Sequence, residues 1–423
     1  MIQTLSLAPG ITLRGCTDGR FKQNVLSIQF VRMMRREEAA QNALIPAVLL
    51  RGCQAYPDLR AITARLDDLY GAGISALVRR IGDYQTTGLS CAFIADRFAM
   101  AGDEILAPMA QLLRQLLLEP VRQGDGFSET FVESEKKNLI CALEAERNDK
   151  RAYAGAQLLR TMCKEDSFGI PRLGTSEAVA AIDPVSLMSH YRKILKESPI
   201  EIFYVGGADL AQVAQAFTPL FLEMDRCYVN LPEQTPFRDT PGEALRTEEL
   251  EVAQAKLCMG FVTPITNRHE AFAAMQVFNA LFGSGQSCKL FQTVREKMSL
   301  CYSIGSGYYG SKGILTVSAG IDGKNMEKTR DQILTLLQEC RDGHITEEEL
   351  EAAKLSLISG LQTVHDSPGA IEGYYATAVL SGLGLTPESY LRAVEAVTAD
   401  TVAAAAQTVK LHTTYFLKEV GSC

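Results

Sequence analysis

Apolar positions recur along the chain with two different periods. Leu26, Ile28 and Phe30 alternate with Ser27 and Gln29, and Leu89, Cys91 and Phe93 alternate with Ser90 and Ala92. A period of two sends successive side chains to opposite faces, so both segments read as strands with one buried face. Ile105, Met109, Leu112, Leu113, Leu116 and Leu117 recur at helical spacing and make one apolar stripe. A long polar-faced helix is expected from about Ser128 to Asp149, a second from about Pro184 to Leu195, and a strand over Glu201–Val205.

The second half repeats this order. Leu257, Met259 and Phe261 mark a strand, residues 269–282 a helix, Leu315, Val317 and Ala319 another strand, and residues 326–340 another helix. Thr346 and Glu349 then form a capping-box pattern that opens a long helix, with Ser128 as a weaker counterpart in the first half. Phe261 follows Phe30 by 231 residues and Thr346 follows Ser128 by 218, which is the signature of an internal duplication. Between the halves, residues 230–242 hold three prolines and few apolar residues, the composition of a linker. The expected architecture is α+β: two similar domains, each a mainly antiparallel sheet packed with helices, over residues 1–225 and 247–423, joined by a linker at 226–246.

Composition sharpens this. A single core stops growing near ~250–300 residues, so 423 residues require more than one domain. A net charge of -8 argues against nucleic acid as a partner. No apolar run of about 18 residues occurs, and the first residues lack the basic-then-apolar order of a signal peptide. A cytoplasmic protein without membrane contact is expected. The eleven cysteines include no C-x-x-C pair, and most sit in apolar company, so buried free thiols are expected rather than a zinc or disulfide framework. Only five histidines occur, at 190, 269, 344, 365 and 412. No two are close enough to share a helical turn, which excludes a local pair of histidine ligands.

Specific motifs follow. Gly283-Ser-Gly-Gln-Ser-Cys-Lys-Leu-Phe291 leads into Val294-Arg-Glu-Lys-Met-Ser-Leu-Cys-Tyr302. The first half carries Phe168-Gly-Ile-Pro-Arg-Leu-Gly-Thr175 and Val205-Gly-Gly-Ala-Asp209. In this order the motifs resemble those of the pitrilysin/insulinase-type zinc metallopeptidases, close to the mitochondrial processing peptidase branch. The glycine turn lacks the Gly-Lys-Ser/Thr ending of a phosphate loop. Asp67 and Asp68 read as solvated acids at a helix end.

The resemblance implies a zinc site built from His-x-x-Glu-His and a Glu on a later helix. Here the first His falls on Ala43, the Glu on Pro46, the second His on Ala47 and the later ligand on Ala142. An outer Glu is kept as Glu135. No metal, no cofactor and no catalytic residue are therefore expected. The resemblance further implies half of a clam-like chamber, in which the motif-less chain pairs with a zinc-bearing homologue or with itself. Arg295 and Tyr302 fall on the family positions that bind peptide substrate. Arg suits a carbonyl or carboxylate, and a Tyr hydroxyl can polarise a carbonyl oxygen. Two rivals stay open. One is an active metalloendopeptidase with a rearranged site drawing on residues such as His365 and Glu135; the other is a structural scaffold that binds no peptide.

Overall fold

The computed structural model describes residues 2–222, 224–238 and 242–420. In chain order the first half holds β1 (Gln3–Ala8), β2 (Ile11–Thr17), β3 (Gln23–Met33), α1 (Ala39–Leu49), α2 (Leu59–Asp68), β4 (Gly73–Ile81), β5 (Tyr84–Ile94) and α3 (Leu106–Leu118). A short hairpin, β6 (Arg122–Gln123) and β7 (Gly126–Phe127), leads to α4 (Glu129–Asn148), α5 (Lys150–Met162), α6 (Ser176–Ala180), α7 (Pro184–Glu197), β8 (Ile200–Gly206) and α8 (Leu210–Leu222). The second half holds β9 (Ala244–Leu250), β10 (Ala255–Val262), α9 (Phe272–Gly283), a π-helical segment Phe291–Lys297, β11 (Cys301–Tyr309) and β12 (Ile314–Ile321). It ends with α10 (Met326–Arg341), α11 (Glu347–Thr363), α12 (Pro368–Ser381), α13 (Pro387–Glu395), α14 (Ala399–Thr408) and β13 (Lys410–Glu419).

The strands make two main sheets, in the orders β1-β2-β8-β3-β5-β4 and β11-β12-β10-β13-β9. β2 with β8 and β13 with β9 run parallel; the other pairs are antiparallel. The α+β architecture with two similar sheets is thus as the periodicity predicts. The α3 stripe is buried as expected, with Met109, Leu113, Leu116 and Leu117 fully inaccessible. Each such side chain contributes about 1.5–3 kcal/mol of apolar burial. The capping box at α11 is formed in both directions: Thr346 Oγ1 accepts the Glu349 amide at 3.2 Å, and the Glu349 carboxylate accepts the Thr346 amide at 3.0 Å.

The long helix expected over Ser128–Asp149 is broken at its last residue. Asp149 stands in the extended region, and its carboxylate accepts the amides of Arg151 and Ala152 at 3.0 and 3.1 Å. A short acidic side chain satisfies the free N–H groups of a new helix better than it propagates an old one. The chain therefore restarts as α5.

The chain forms two compact units, which are not contiguous in sequence. The first comprises Met1–Glu144, Ile170–Glu233 and His365–Thr377; the second comprises Ala145–Gly169, Gln234–Val364 and Ala378–Cys423. They differ from the contiguous spans 1–225 and 247–423, because each sheet has a second face to cover. In the second unit, Ala154 and Leu158 of α5 pack against Cys258, Tyr415 and Leu417, and the hydroxyls of Tyr153 and Tyr415 both donate to Glu248 at 2.7 Å. In the first unit, the segment His365–Thr377 brings in Ile371 and Ala376, at 1% and 0% exposure, and the buried Glu372.

The expected linker is not a free strand of chain. Within the first unit, the amides of Cys227 and Val229 bond Lys196 O and Glu197 O. Within the second, the Phe237 amide donates to Lys312 O and its ring meets His412 edge-on at 5.4 Å. Residues 244–246, at the linker's expected end, already belong to β9.

Candidate functional site

The positions expected to correspond to the zinc motif lie on α1 of the first unit. Ala43 and Pro46 are buried and Ala47 is partly buried. Their methyl and ring carbons offer no donor to a metal. Ala142 is an exposed residue of α4. Glu135, the retained acid, pairs with Arg51 at 3.3 Å, and Arg51 also lies over the Phe131 ring at 5.8 Å. Zinc asks for four ligands drawn from Cys, His, Asp and Glu in tetrahedral reach. Among the described residues no group of three or more such side chains could hold a metal ion. This donor set does not fit zinc, and His365 with Glu135 does not rebuild one.

The polar side chains next to α1 are committed to the fold instead. Asn42 of α1 is fully buried; its Nδ2 donates to Gln85 Oε1 at 2.8 Å, and its Oδ1 meets His190 Nε2 at 2.7 Å. Gln85 in turn donates to the carbonyls of Ala39 and Arg172, and Thr87 donates to Asn42 O at 2.6 Å. At the start of the helix, Glu38 binds Arg32 at 2.8 Å and Lys193 at 3.1 Å. Polar groups this deep must be paired, and here they pair with one another.

This network carries a pH dependence. Burial pushes the His190 pKa down to about 4, with Arg32 and Lys193 adding to the fall and Glu38 opposing it. Burial acts to raise the Glu38 carboxyl, but the Arg32 and Lys193 contacts outweigh it and hold the group below its ordinary 4.5. Both groups bind protons more readily in the unfolded chain, so stability falls as pH falls. The His190 part is complete above pH 6.5 and is lost toward pH 4. His190→Gln, which takes no proton, should flatten the decline of the urea midpoint over that interval. Equal declines in both proteins would show that His190 does not titrate as described.

The remaining histidines fall into structural places. His269 Nδ1 accepts the Ala271 amide at 3.0 Å ahead of α9, and His344 is exposed. His365 is partly buried and its carbonyl accepts from Arg20; His412 Nδ1 lies 2.7 Å from Thr413 Oγ1. The described cysteines are all free thiols, seven of them buried, and Cys141 and Cys227 exposed. Asp67 and Asp68 are exposed at the end of α2, where Tyr70 and Gly71 turn the chain at φ 60° and 70°.

Arg295 and Tyr302 belong to the second unit. Arg295 lies in the π-helical segment, with its guanidinium over the Phe291 ring at 4.5 Å and Nε 3.7 Å from the Glu296 carboxylate. Its side chain stays 41% exposed. Ser299, at φ 52°, turns the chain into β11. Tyr302 is the residue at which the β11–β12 register shifts, and it is 70% exposed. An extra residue in one strand re-aims side chains. β11 is an edge strand of its sheet, so one side of its backbone is unpaired within it. The glycine turn before it is pinned, not loose: Cys288 Sγ donates to Gly285 O at 3.1 Å and Gln292 Nε2 to Gln286 O at 2.7 Å. At Gly283 a Cβ would fall 2.6 Å from Ser306 Cβ, so glycine is needed where α9 meets β11.

One buried polar cluster was not legible from local pattern. Glu372, 3% exposed, accepts from Ser27 Oγ at 2.6 Å, Gln29 Nε2 at 3.1 Å and Arg79 at 2.8 Å. Ser27 and Gln29 are the polar members of the β3 alternation, which predicts a face turned to solvent. They are fully buried. The alternation itself is real; what it cannot report is that a segment of the second half covers the polar face.

Comparisons with known proteins agree with this geometry. Residues 181–357 match the peptidase M16 inactive domain. A probable inactive metalloprotease of Bacillus subtilis, YmfF, is 29% identical over 410 residues, 97% of this chain and 96% of that protein. The crystal structure of a conserved protein from Enterococcus faecalis superposes with a TM-score of 0.92 at 28% identity, covering 100% of this chain and 99% of that one. The structure of a peptidase M16 inactive domain from Pseudomonas fluorescens shares the fold, with a TM-score of 0.81 at 17% identity, over 100% of this chain and 99% of that one. By these matches the chain is similar to M16, or pitrilysin/insulinase-type, metallopeptidases and to an inactive homologue among them, and the positions that this likeness sets against the zinc motif carry no metal ligand.

Proposed function

We propose that this chain is a non-catalytic subunit that pairs with a zinc-bearing homologue and presents peptide to it in a shared chamber. The observation that carries the reading is a contrast within one molecule. Ala43, Pro46, Ala47 and Ala142 offer nothing to a metal, whereas Arg295 and Tyr302 are retained and exposed beside the edge strand β11. An open strand edge can take an extended peptide by main-chain hydrogen bonds. Arg295 can meet a peptide carbonyl or carboxylate, and Tyr302 can donate to a carbonyl oxygen. Chemistry is then left to the partner, a catalytic chain in a heterodimer; a homodimer would lack any zinc-holding half. The free thiols suit a reducing compartment such as the cytoplasm, and no described helix is long and apolar enough to cross a membrane.

Co-expression with an adjacent-encoded homologue that carries His-x-x-Glu-His tests this. A 1:1 complex is expected to cleave peptides that neither chain cleaves alone. Arg295→Ala combined with Tyr302→Phe should lower kcat/KM of the complex by about tenfold or more, with assembly intact. Unchanged cleavage would remove the substrate role of these two residues. Cleavage by this chain alone, abolished by chelation, would overturn the non-catalytic reading.

A further inference from the structure

The Val205-Gly-Gly-Ala-Asp209 motif of the first unit borders a cleft that peptide binding at β11 does not use. The cleft opens where β3 begins and β5 and β8 end, beside the N-terminal halves of α3 and α8. Its volume is about 590 Å³, within the size range of small-molecule sites. Asn24, Asp96, Arg97, Glu104, Gly207 and Gln212 line it.

One buried group there points to a ligand. Asn24 is 1% exposed, and its Oδ1 accepts from the Tyr204 hydroxyl and the Gly207 amide, both at 3.0 Å. A Cβ on Gly206 would fall on that oxygen and within 2.6 Å of the Tyr204 hydroxyl, so the motif's first glycine keeps the space for this arrangement. The Gly207 amide can only donate, which fixes the oxygen of Asn24 toward it and turns the Nδ2 amide group to the cleft. Nδ2 has no acceptor among the described residues. A buried donor left without a partner is costly, so an oxygen from outside the fold is called for.

The charges around Asn24 set the sign of the ligand. Asp96 Oδ1 caps α3 by accepting the Ile105 and Leu106 amides at 3.3 and 3.1 Å, and Oδ2 stays unbonded. Burial pushes the Tyr204 hydroxyl up to about 12 and the Asp96 charge adds to the rise, which places this carboxylate near the hydroxyl that holds Asn24. Glu104 is exposed and makes no ion pair among the described residues. Against these two acids stands one cation, Arg97, held by the carbonyls of Gly19 and Phe21 and by the Phe98 ring at 4.6 Å. The cleft therefore suits a molecule that brings an acceptor oxygen and a positive charge together.

We infer that this cleft binds an α-ammonium group set beside a carbonyl or carboxylate oxygen, as in a free amino acid or at the amino end of a peptide. Asn24 donates to the oxygen, Asp96 and Glu104 receive the ammonium, and Arg97 meets a carboxylate where there is one. The site needs neither a partner chain nor β11, so it stands or falls apart from the proposed function.

Isothermal titration calorimetry on the full chain at neutral pH tests it, with alanine, trialanine amide and N-acetyl-trialanine amide as probes. The acetylated peptide keeps the carbonyl oxygens and lacks the ammonium. Alanine, trialanine amide or both are expected to bind with a Kd of about 1 mM or below, about tenfold or more tighter than the acetylated peptide. The tighter of the two names the source: a free amino acid or the amino end of a peptide. Asp96→Asn with Glu104→Gln should weaken that binding about tenfold or more while α3 stays capped, since Asn caps a helix as well as Asp does. Arg97→Gln should weaken alanine and leave trialanine amide unchanged. Equal binding of the amine and acetylated probes, binding that survives the double change, or no binding of any probe overturns the site and leaves Asn24 to water.

Discussion

Replacing Glu372 by alanine should lower the stability of the protein by about 3 kcal/mol. The carboxylate is 3% exposed and meets Ser27, Gln29 and Arg79. Removing it leaves a guanidinium, a hydroxyl and an amide without their shared acceptor, and the penalty for buried donors left unmade exceeds the net worth of the bonds. Arg79→Ala should cost less, because the Arg79 side chain is 31% exposed and its charge is partly solvated. Glu372→Gln should fall between the two, since an amide oxygen still accepts. The chain has no tryptophan, so the urea midpoint is best followed by far-ultraviolet circular dichroism. Hydrogen exchange should quicken over residues 365–377, the segment that Glu372 fastens within the first unit. A midpoint shift below about 1 kcal/mol would show that the cluster does not hold that segment.

The second large effect is expected at Gly88. This residue of β5 faces Gln29 of β3 in register. A Cβ there would fall on the Ile28 carbonyl oxygen, with Ile28 C at 3.0 Å and Gln29 Cα at 3.3 Å. The obstacle is backbone in the middle of the sheet, not the end of a flexible side chain. Gly88→Ala must therefore displace β3, and overpacking against a rigid neighbour costs about 3 kcal/mol. Gly73, at the start of edge strand β4, is the control. A Cβ there meets nothing within 4 Å, so Gly73→Ala should change stability by less than about 0.5 kcal/mol. If the two variants unfold at the same midpoint, the close β3–β5 approach is not as described.

Neither effect can be anticipated from spacing. Gly88 lies in a run of small and polar residues that carries no sign of a backbone contact at Ile28. Glu372 sits in a segment whose turn signals, Asp366-Ser-Pro368, read as surface. The candidate site divides in the same way. The losses at Ala43, Pro46, Ala47 and Ala142 are legible residue by residue, because a metal ligand is a chemical identity at a fixed spacing. The motif at 168–175 is legible as a pattern, but only the fold explains it. Gly174 adopts φ 77° with a Cβ position 2.7 Å from Ala40 Cβ, so no larger residue fits beside the start of α1.

Local order was therefore written in the sequence: the alternations of β3, β5 and β10, the α3 stripe, the capping box of α11, the duplication and the absent zinc ligands. Each depends on residues within a few turns or on the identity of one side chain. The tertiary structure decided what those elements meet. Ser27 and Glu372 stand 345 positions apart, yet share a hydrogen bond of 2.6 Å. Periodicity reports which residues share a face; it holds no information about which distant segment covers that face. Residues 365–377 therefore group with the first unit and 145–169 with the second, each set by contacts that no local pattern carries.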